Sequence, residues 1–159
     1  MSRIELRHVD KSFGEQTVLQ DFSMIVESGQ GKIILGGGGS GKSTVLKMIP
    51  GLILPDNGSV FIDDKEISSL SEDEMMPFRS RMGMVFQEGA LFDFLTVMEN
   101  VAYRLREHTT QPEEKIVSTV MEALGFVGLQ PAAEKMPSEL SGGMRRRAAI
   151  AGAIVGNPR

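Results

Sequence analysis

Apolar and polar positions alternate over residues 3–9, with Ile4 and Leu6 on one face and Arg3, Glu5 and Arg7 on the other. That period of two predicts a half-buried strand. A second strand is expected over 18–26. A turn at 28–31 precedes Lys32, Ile33, Ile34 and Leu35, a short apolar run of the kind found inside parallel sheets. A glycine-rich loop follows directly. From Lys42 onward Val45, Leu46 and Ile49 recur at helical spacing until Pro50, whose missing N–H is expected to end the helix. The order is strand, loop, helix.

Residues 55–58, Pro-Asp-Asn-Gly, predict a turn, and 60–62 with 65–67 predict a hairpin that bends at Asp63 and Asp64. Ser71 and Glu74 have capping-box spacing and open an acidic helix expected to stop at Pro77. Residues 82–86 read as another buried strand. From Thr96 the pattern turns helical. Thr96 and Glu99 form a second box, with Val97, Val101 and Leu105 on one face. Pro112 starts a helix with Ile116, Val120, Met121 and Leu124 inward and Gly125 as its C-cap. Ser141 caps a last helix ending near Asn157 and Pro158. The fold class is therefore α/β, with a mixed core over 1–90 and a helical lobe over 91–159.

Charge and composition narrow the function. Seventeen Lys and Arg against 21 Asp and Glu give a net charge of −4, the wrong sign for a broad basic surface, so no nucleic acid partner is expected. The chain has no Cys, which removes disulfides, thiolate metal sites and Cys nucleophiles. His8 and His108 stand apart from any carboxylate cluster, so no metal site is expected through them. No apolar run approaches the ~20 residues of a membrane span, and the charged first residues do not read as a leader, so a cytosolic chain is expected.

The chemistry concentrates in two stretches. Gly36, Gly37, Gly38, Gly39, Ser40, Gly41, Lys42 and Ser43 satisfy G-x-x-x-x-G-K-[ST], set between an apolar run and a helix as that motif requires. Successive backbone N–H groups of such a loop curl around phosphate oxygens, and the helix N-terminus adds partial positive charge. Lys42 would bridge the outer phosphates and Ser43 would offer its hydroxyl to Mg²⁺. A flexible glycine linker is the plain alternative, but it would need neither the following Lys-Ser-Thr nor the preceding apolar run. Four consecutive glycines also leave the loop more freedom to lose on ordering, which lowers its expected nucleotide affinity. The second stretch, Leu140, Ser141, Gly142, Gly143 and Met144 followed by three arginines, is a Ser-capped helix start with exposed N–H groups. Taken alone it is as well read as a capped helix with a solvated Arg face.

Together, and in this order, the motifs resemble the nucleotide-binding subunit of ATP-binding cassette (ABC) transporters. The resemblance implies a P-loop NTPase fold, with an N-terminal antiparallel β part and a helical signature subdomain. It makes 36–44, Thr44 included, the Walker A motif, 140–144 the signature motif and Gln87 the Q-loop residue. It further implies that Phe13 stacks on adenine and that Gln87 reaches Mg²⁺ and the attacking water. Ser141, Gly142, Gly143 and Met144 would meet the nucleotide of a second copy. The implied cofactors are ATP and Mg²⁺. The implied partners are a second nucleotide-binding subunit, in a head-to-tail dimer, and transmembrane permease subunits. The expected location is cytoplasmic, peripheral on the inner face of the bacterial inner membrane. Phe86 to Phe92, Asn100 to Tyr103, Leu105 to His108 and the Met at 144 are similar to Mce/Mla-type lipid-transporter ATPases.

Departures from the family pattern shape the remaining expectations. That pattern continues beyond Arg159 into a Walker B Asp, a catalytic Glu and a switch His. The chain is accordingly expected to be C-terminally incomplete, to bind nucleotide poorly and to hydrolyse it negligibly. Residues 60–64 imitate the missing strand and carboxylates, although the preceding turn favours a hairpin bend. Gly31 and Gly152 replace the family's usual Glu and Arg. The alternatives are a small P-loop kinase with Arg145, Arg146 and Arg147 as a lid clamp, or a non-hydrolysing nucleotide-binding remnant. A soluble ABC protein acting on nucleic acid is disfavoured by the acidic balance.

Overall fold

A computed structural model describes residues 2–87 and 89–158. They form two compact units that divide between Arg79 and Ser80, ahead of residue 90, so the segment 82–86 and Gln87 pack with the helices.

The first unit is built on an antiparallel sheet of order β2-β1-β3-β4, with β1 Ile4–Phe13, β2 Gln16–Val26, β3 Asn57–Ile62 and β4 Lys65–Glu66. The expected alternation sets Arg3, Glu5 and Arg7 side by side, and this makes a buried carboxylate tolerable. Arg3 Nη1 donates to Glu5 Oε2 at 2.6 Å, and Arg7 donates from Nε at 2.7 Å and from Nη2 at 2.9 Å. Glu5 is only 8% exposed. The Arg7 hydrogen bonds first, then those of Arg3, hold its carboxyl down at about 2. Arg7 also lies over the Phe61 ring, 4.1 Å from its centroid, and Phe61 is the cross-strand partner of Glu5. The period of two then breaks. His8 takes φ 47, its N–H donates to Ser23 Oγ at 2.9 Å, and the pairing register shifts there against both neighbours. The bulge brings Leu6 and Val9, three apart, to the buried side together.

The hairpin forms where it was expected. Asp63 and Asp64 both adopt positive φ, 49 and 65, as a two-residue turn between right-twisted strands needs. Arg3 N–H donates to Asp63 Oδ1 at 2.9 Å, and Asp63 N–H donates back to the Arg3 carbonyl at 2.9 Å. Helix α1, Lys42–Met48, ends ahead of Pro50 with Val45 and Met48 buried. Leu46, expected inward, is exposed.

Two expectations in this unit need correction. Residues 32–35 form no strand. No strand among the described residues pairs with them, and Ile33 and Leu35 stand 84% and 87% exposed. An apolar run becomes a strand only where a neighbouring backbone answers its N–H and C=O groups. Pro77 does not stop its helix either, because α2 runs Glu72–Arg79 through it. The far end is anchored instead by Arg79, which bonds the Pro50 carbonyl from Nε at 2.8 Å and Glu72 from Nη1 at 2.5 Å.

In the second unit, α3 Val97–His108, α4 Glu113–Phe126 and α5 Gly142–Ile154 share a core that includes Val97, Val101, Leu105, Ile116, Val120 and Leu124. The Thr96 capping box is complete: Glu99 N–H donates to Thr96 Oγ1 at 3.2 Å, and Thr96 N–H donates to Glu99 Oε2 at 2.7 Å. Gly125 is not the C-cap of α4. Val127 takes that part, and Gly128 just beyond it sits in the left-handed region (φ 67), with Gly128 N–H on the Gly125 carbonyl at 3.1 Å and Leu129 N–H on the Leu124 carbonyl at 2.8 Å. Residues 82–86 form neither strand nor helix. They are held by helices rather than by a ladder. Arg104 of α3 bonds the Met82 carbonyl at 2.5 Å and also the Ser80 carbonyl, and a Cβ on Gly83 would collide with the Ala153 carbonyl of α5. No helix among the described residues is long and apolar enough to cross a membrane.

Candidate nucleotide-binding site

The phosphate loop belongs to the first unit and is folded around one carbonyl. Ser40 N–H and Ser40 Oγ both donate to the Gly37 carbonyl, at 3.4 and 2.9 Å. Lys42 Nζ donates to that same oxygen at 2.5 Å, to the Gly36 carbonyl at 2.9 Å and to Ser40 Oγ at 3.2 Å. The ammonium group therefore points back into the loop that a triphosphate would occupy. The loop also requires particular glycines. Gly39 and Gly41 sit at φ 76 and 83, and a Cβ on Gly41 would lie 2.8 Å from Leu19 Cδ2 and 3.2 Å from the Val18 carbonyl of β2. A Cβ on Gly36 would collide with Ser40 Oγ.

Helix α1 differs from the other helices in what meets its N-terminal N–H groups. Its N-cap, Gly41, offers no side-chain hydrogen bond, and its first turn holds no acidic residue. By contrast α2 has Glu72, Asp73 and Glu74 in its first turn, α3 has Thr96 and Glu99, α4 has Glu113 and Glu114, and α5 has the Ser141 cap. Among the described α-helices only α1 leaves both its donors and its partial positive charge unanswered by side chains. Ser43 in that turn is exposed and Thr44 half-buried.

Phe13 ends β1, 49% exposed, and pairs with Gln16 across the hairpin. It thus lies close in the sheet to Val18 and Leu19, against which Gly41 rests. Lys11 Nζ, bonded to Asp56 Oδ1 at 2.6 Å, is 5.5 Å from the Phe13 ring centroid.

Gln87 and the 140–144 stretch both belong to the second unit. Gln87 is exposed in a turn closed by the Gly89 N–H on the Phe86 carbonyl at 3.0 Å. Gly89 is buried against α5, and a Cβ there would lie 3.3 Å from the Arg145 carbonyl. Ser141 Oγ accepts the Met144 N–H at 3.3 Å. Gly142 and Gly143 are exposed with open space beside them, while Met144 packs partly into the helical core. Arg145 bonds the Leu140 carbonyl at 3.0 Å and Arg147 the Val127 carbonyl at 2.9 Å. Two of the three arginines proposed for a kinase lid are thus tied to their own backbone.

Sequence reasoning gave no physical role to two residues that hold the Gln87 region. Asn100 Nδ2 donates to the carbonyls of Phe92, Leu95 and Thr96 at 3.0, 3.0 and 2.9 Å, and its Oδ1 accepts the Phe92 N–H at 2.7 Å. Arg104 holds the start of the same segment. An amide one turn beyond a capping box was the available signal, and it is a faint one.

Ser43 in the first unit and Gln87 in the second each offer a hard oxygen atom of the kind Mg²⁺ takes alongside phosphate, and no group of three or more His, Cys, Asp or Glu among the described residues could form a metal cage. The Asp63 and Asp64 pair is committed to the hairpin turn and Asp63 to the Arg3 amide.

The "ABC transporter" family model matches residues 19–159. The chain belongs to the ABC transporter family. This ABC chain is 45% identical over 155 residues to the Escherichia coli intermembrane phospholipid transport system ATP-binding protein MlaF, covering 98% of the chain and 58% of MlaF. It is 41% identical over 156 residues to the probable ribonucleotide transport ATP-binding protein mkl of Mycobacterium tuberculosis, covering 98% of the chain and 44% of that protein. It spans about half the length of these curated relatives. Its fold matches the ATP-binding cassette MJ0796, solved as a dimer in a post-hydrolysis state bound to ADP and Pi, with a TM-score of 0.91 and 34% identity over 98% of this chain and 70% of that one. The fold class is accordingly an ABC-type α/β P-loop NTPase.

Proposed function

We propose that this chain is the ATP-binding part of an ABC transporter subunit that serves lipid transport, and that its phosphate loop takes Mg-ATP. The observation that carries the reading is the loop that already curls around Lys42, set ahead of α1, the one described α-helix whose N-terminus has neither side-chain cap nor acidic first turn. On binding, the triphosphate takes the N–H groups of 39–44 and draws the Lys42 ammonium from the Gly36 and Gly37 carbonyls onto its outer phosphates. Ser43 would hold Mg²⁺ and Phe13 would stack on adenine in the first unit, and Gln87, in the second, would offer an oxygen to Mg²⁺ and orient water. Mg²⁺ would neutralise charge on the outer phosphates.

A second copy completes the site. Ser141, Gly142, Gly143 and Met144 of one chain close on the nucleotide of the other, a head-to-tail arrangement supported by the dimeric form of MJ0796. Motion of the Gln87 turn, anchored by Asn100 and Arg104, reaches transmembrane permease subunits, placing the protein on the cytoplasmic face of the inner membrane. Phospholipid is the favoured cargo because of the likeness to MlaF. The carboxylates whose protonation the structure moves, Glu5, Asp56, Glu72, Glu74 and Glu99, are all pushed downward by hydrogen-bond donors. A carboxylate held down in this way is a poor proton acceptor, so none of these five is offered as the base for turnover.

Calorimetry with Mg-ATP tests the reading. Heat of binding that disappears in Lys42→Ala, with thermal unfolding unchanged, supports it. Equal uptake by the Lys42→Ala protein removes the phosphate loop from the function.

A further inference from the structure

The four consecutive glycines are not equivalent. Gly39 is held at φ 76, and Gly36 faces Ser40 Oγ so closely that a Cβ would collide with it. Gly37 and Gly38 meet neither constraint. Neither has positive φ, and a Cβ built on either finds no atom within 4 Å. Gly38 precedes Gly39 in the turn closed by the Ser40 N–H on the Gly37 carbonyl, where a residue with a side chain fits without strain. The fold therefore does not require glycine at 37 or 38.

Both nevertheless act on the same atom. The Gly37 carbonyl accepts the Ser40 N–H, the Ser40 hydroxyl and the Lys42 ammonium, so the placement of Lys42 depends on the backbone of 37 and 38. Glycine at a position that does not need it adds conformations which must be surrendered when the segment is fixed. A loop that orders further around a polyanion bears that loss at the moment of binding.

We propose that Gly37 and Gly38 set the nucleotide affinity of this loop, holding it below what the same backbone would reach with side chains there. This rests on the reading of 36–44 as a triphosphate site. Alanine at either position leaves every hydrogen bond of the loop in place and removes only freedom. Each substitution tightens Mg-ATP by about two- to fivefold, and the pair multiplies.

The test is calorimetric titration of the 159-residue chain with Mg-ATP up to millimolar concentration, using wild type, Gly37→Ala, Gly38→Ala, the double variant and Lys42→Ala, with thermal unfolding of each recorded without nucleotide. A stepwise fall in Kd with an unfolding temperature that barely moves supports the proposal. Unchanged Kd with a raised unfolding temperature overturns it, because the loop would then be fixed before binding and the glycines would be merely structural. Weakened binding in the alanine variants overturns it as well. Those outcomes leave the triphosphate site intact, since wild type still binds and Lys42→Ala does not. Absence of uptake by all five proteins removes the site and the proposal together.

Discussion

Helices α1 and α5 both begin with glycine-flanked turns free of acidic residues, yet they treat their N-terminal donors differently. At α5 the Ser141 hydroxyl accepts the Met144 N–H, so one of the orphan donors is answered by the chain's own side chain. At α1 the cap is Gly41 at φ 83, which shapes the chain but accepts nothing through a side chain. A helix with its own cap can stand exposed on a surface and be lent to another molecule. A helix without one has donors still to satisfy, and the loop before it holds a cation, Lys42, on borrowed carbonyls. On the proposed function, the difference separates the end that would seize a phosphate from the end that would close over it.

The largest effect expected from this contrast is at Lys42. Replacing it by Ala removes charge-assisted hydrogen bonds to the nucleotide and should weaken Mg-ATP by about ten- to a hundredfold, as read by titration. Retained affinity would mean that the open α1 terminus suffices without the ammonium.

Ser141→Ala sharpens the other side. Loss of the cap costs about 1 kcal/mol of unfolding free energy in urea, and it also weakens the Mg-ATP-driven pairing of two copies measured by sedimentation. Thr96→Ala, which breaks the complete box of α3, costs a similar stability without the loss of pairing. Equal pairing in both variants would reduce Ser141 to a cap.

The smallest effect is electrostatic and lies away from both helices. Glu5 has its carboxyl lowered from 4.5 to about 2 by Arg7 and Arg3. A lowered carboxylate contributes stability that is present above pH 4.5 and is lost as pH falls toward 2. Glu5→Gln should flatten the unfolding midpoint across that window relative to wild type, and an unchanged slope would show that the pair of guanidiniums is not what holds the carboxylate.

Local chemistry was legible in the sequence, and long-range pairing was not. The phosphate loop, the Thr96 box and the Asp63 turn each depend on residues within a few positions of one another, and each stands where its spacing put it. Residues 32–35 and 82–86 read as strands because they are apolar, but a strand is a relation to another backbone, and periodicity carries no information about that. Gly128 outcompeted Gly125 because the Schellman pair of hydrogen bonds closes three residues later, leaving Gly125 beside the Gln130 side chain. At the His8 bulge the backbone N–H reaches the Ser23 hydroxyl on a different strand, a partner that spacing along β1 does not reveal. Of the site, Phe13 and the loop fall in one unit and Gln87 with the signature stretch in the other, a division that no motif announces.

The central claim is that two copies close head to tail on Mg-ATP, the loop of one facing the α5 start of the other. The chain has no Cys, so a Gly38→Cys protein mixed with a Gly142→Cys protein reports that geometry by disulfide formation under mild oxidation. The account predicts a mixed 38–142 cross-link that forms with Mg-ATP and fails without it. A 142–142 or 38–38 cross-link in preference to the mixed one, or a mixed one indifferent to nucleotide, would contradict it.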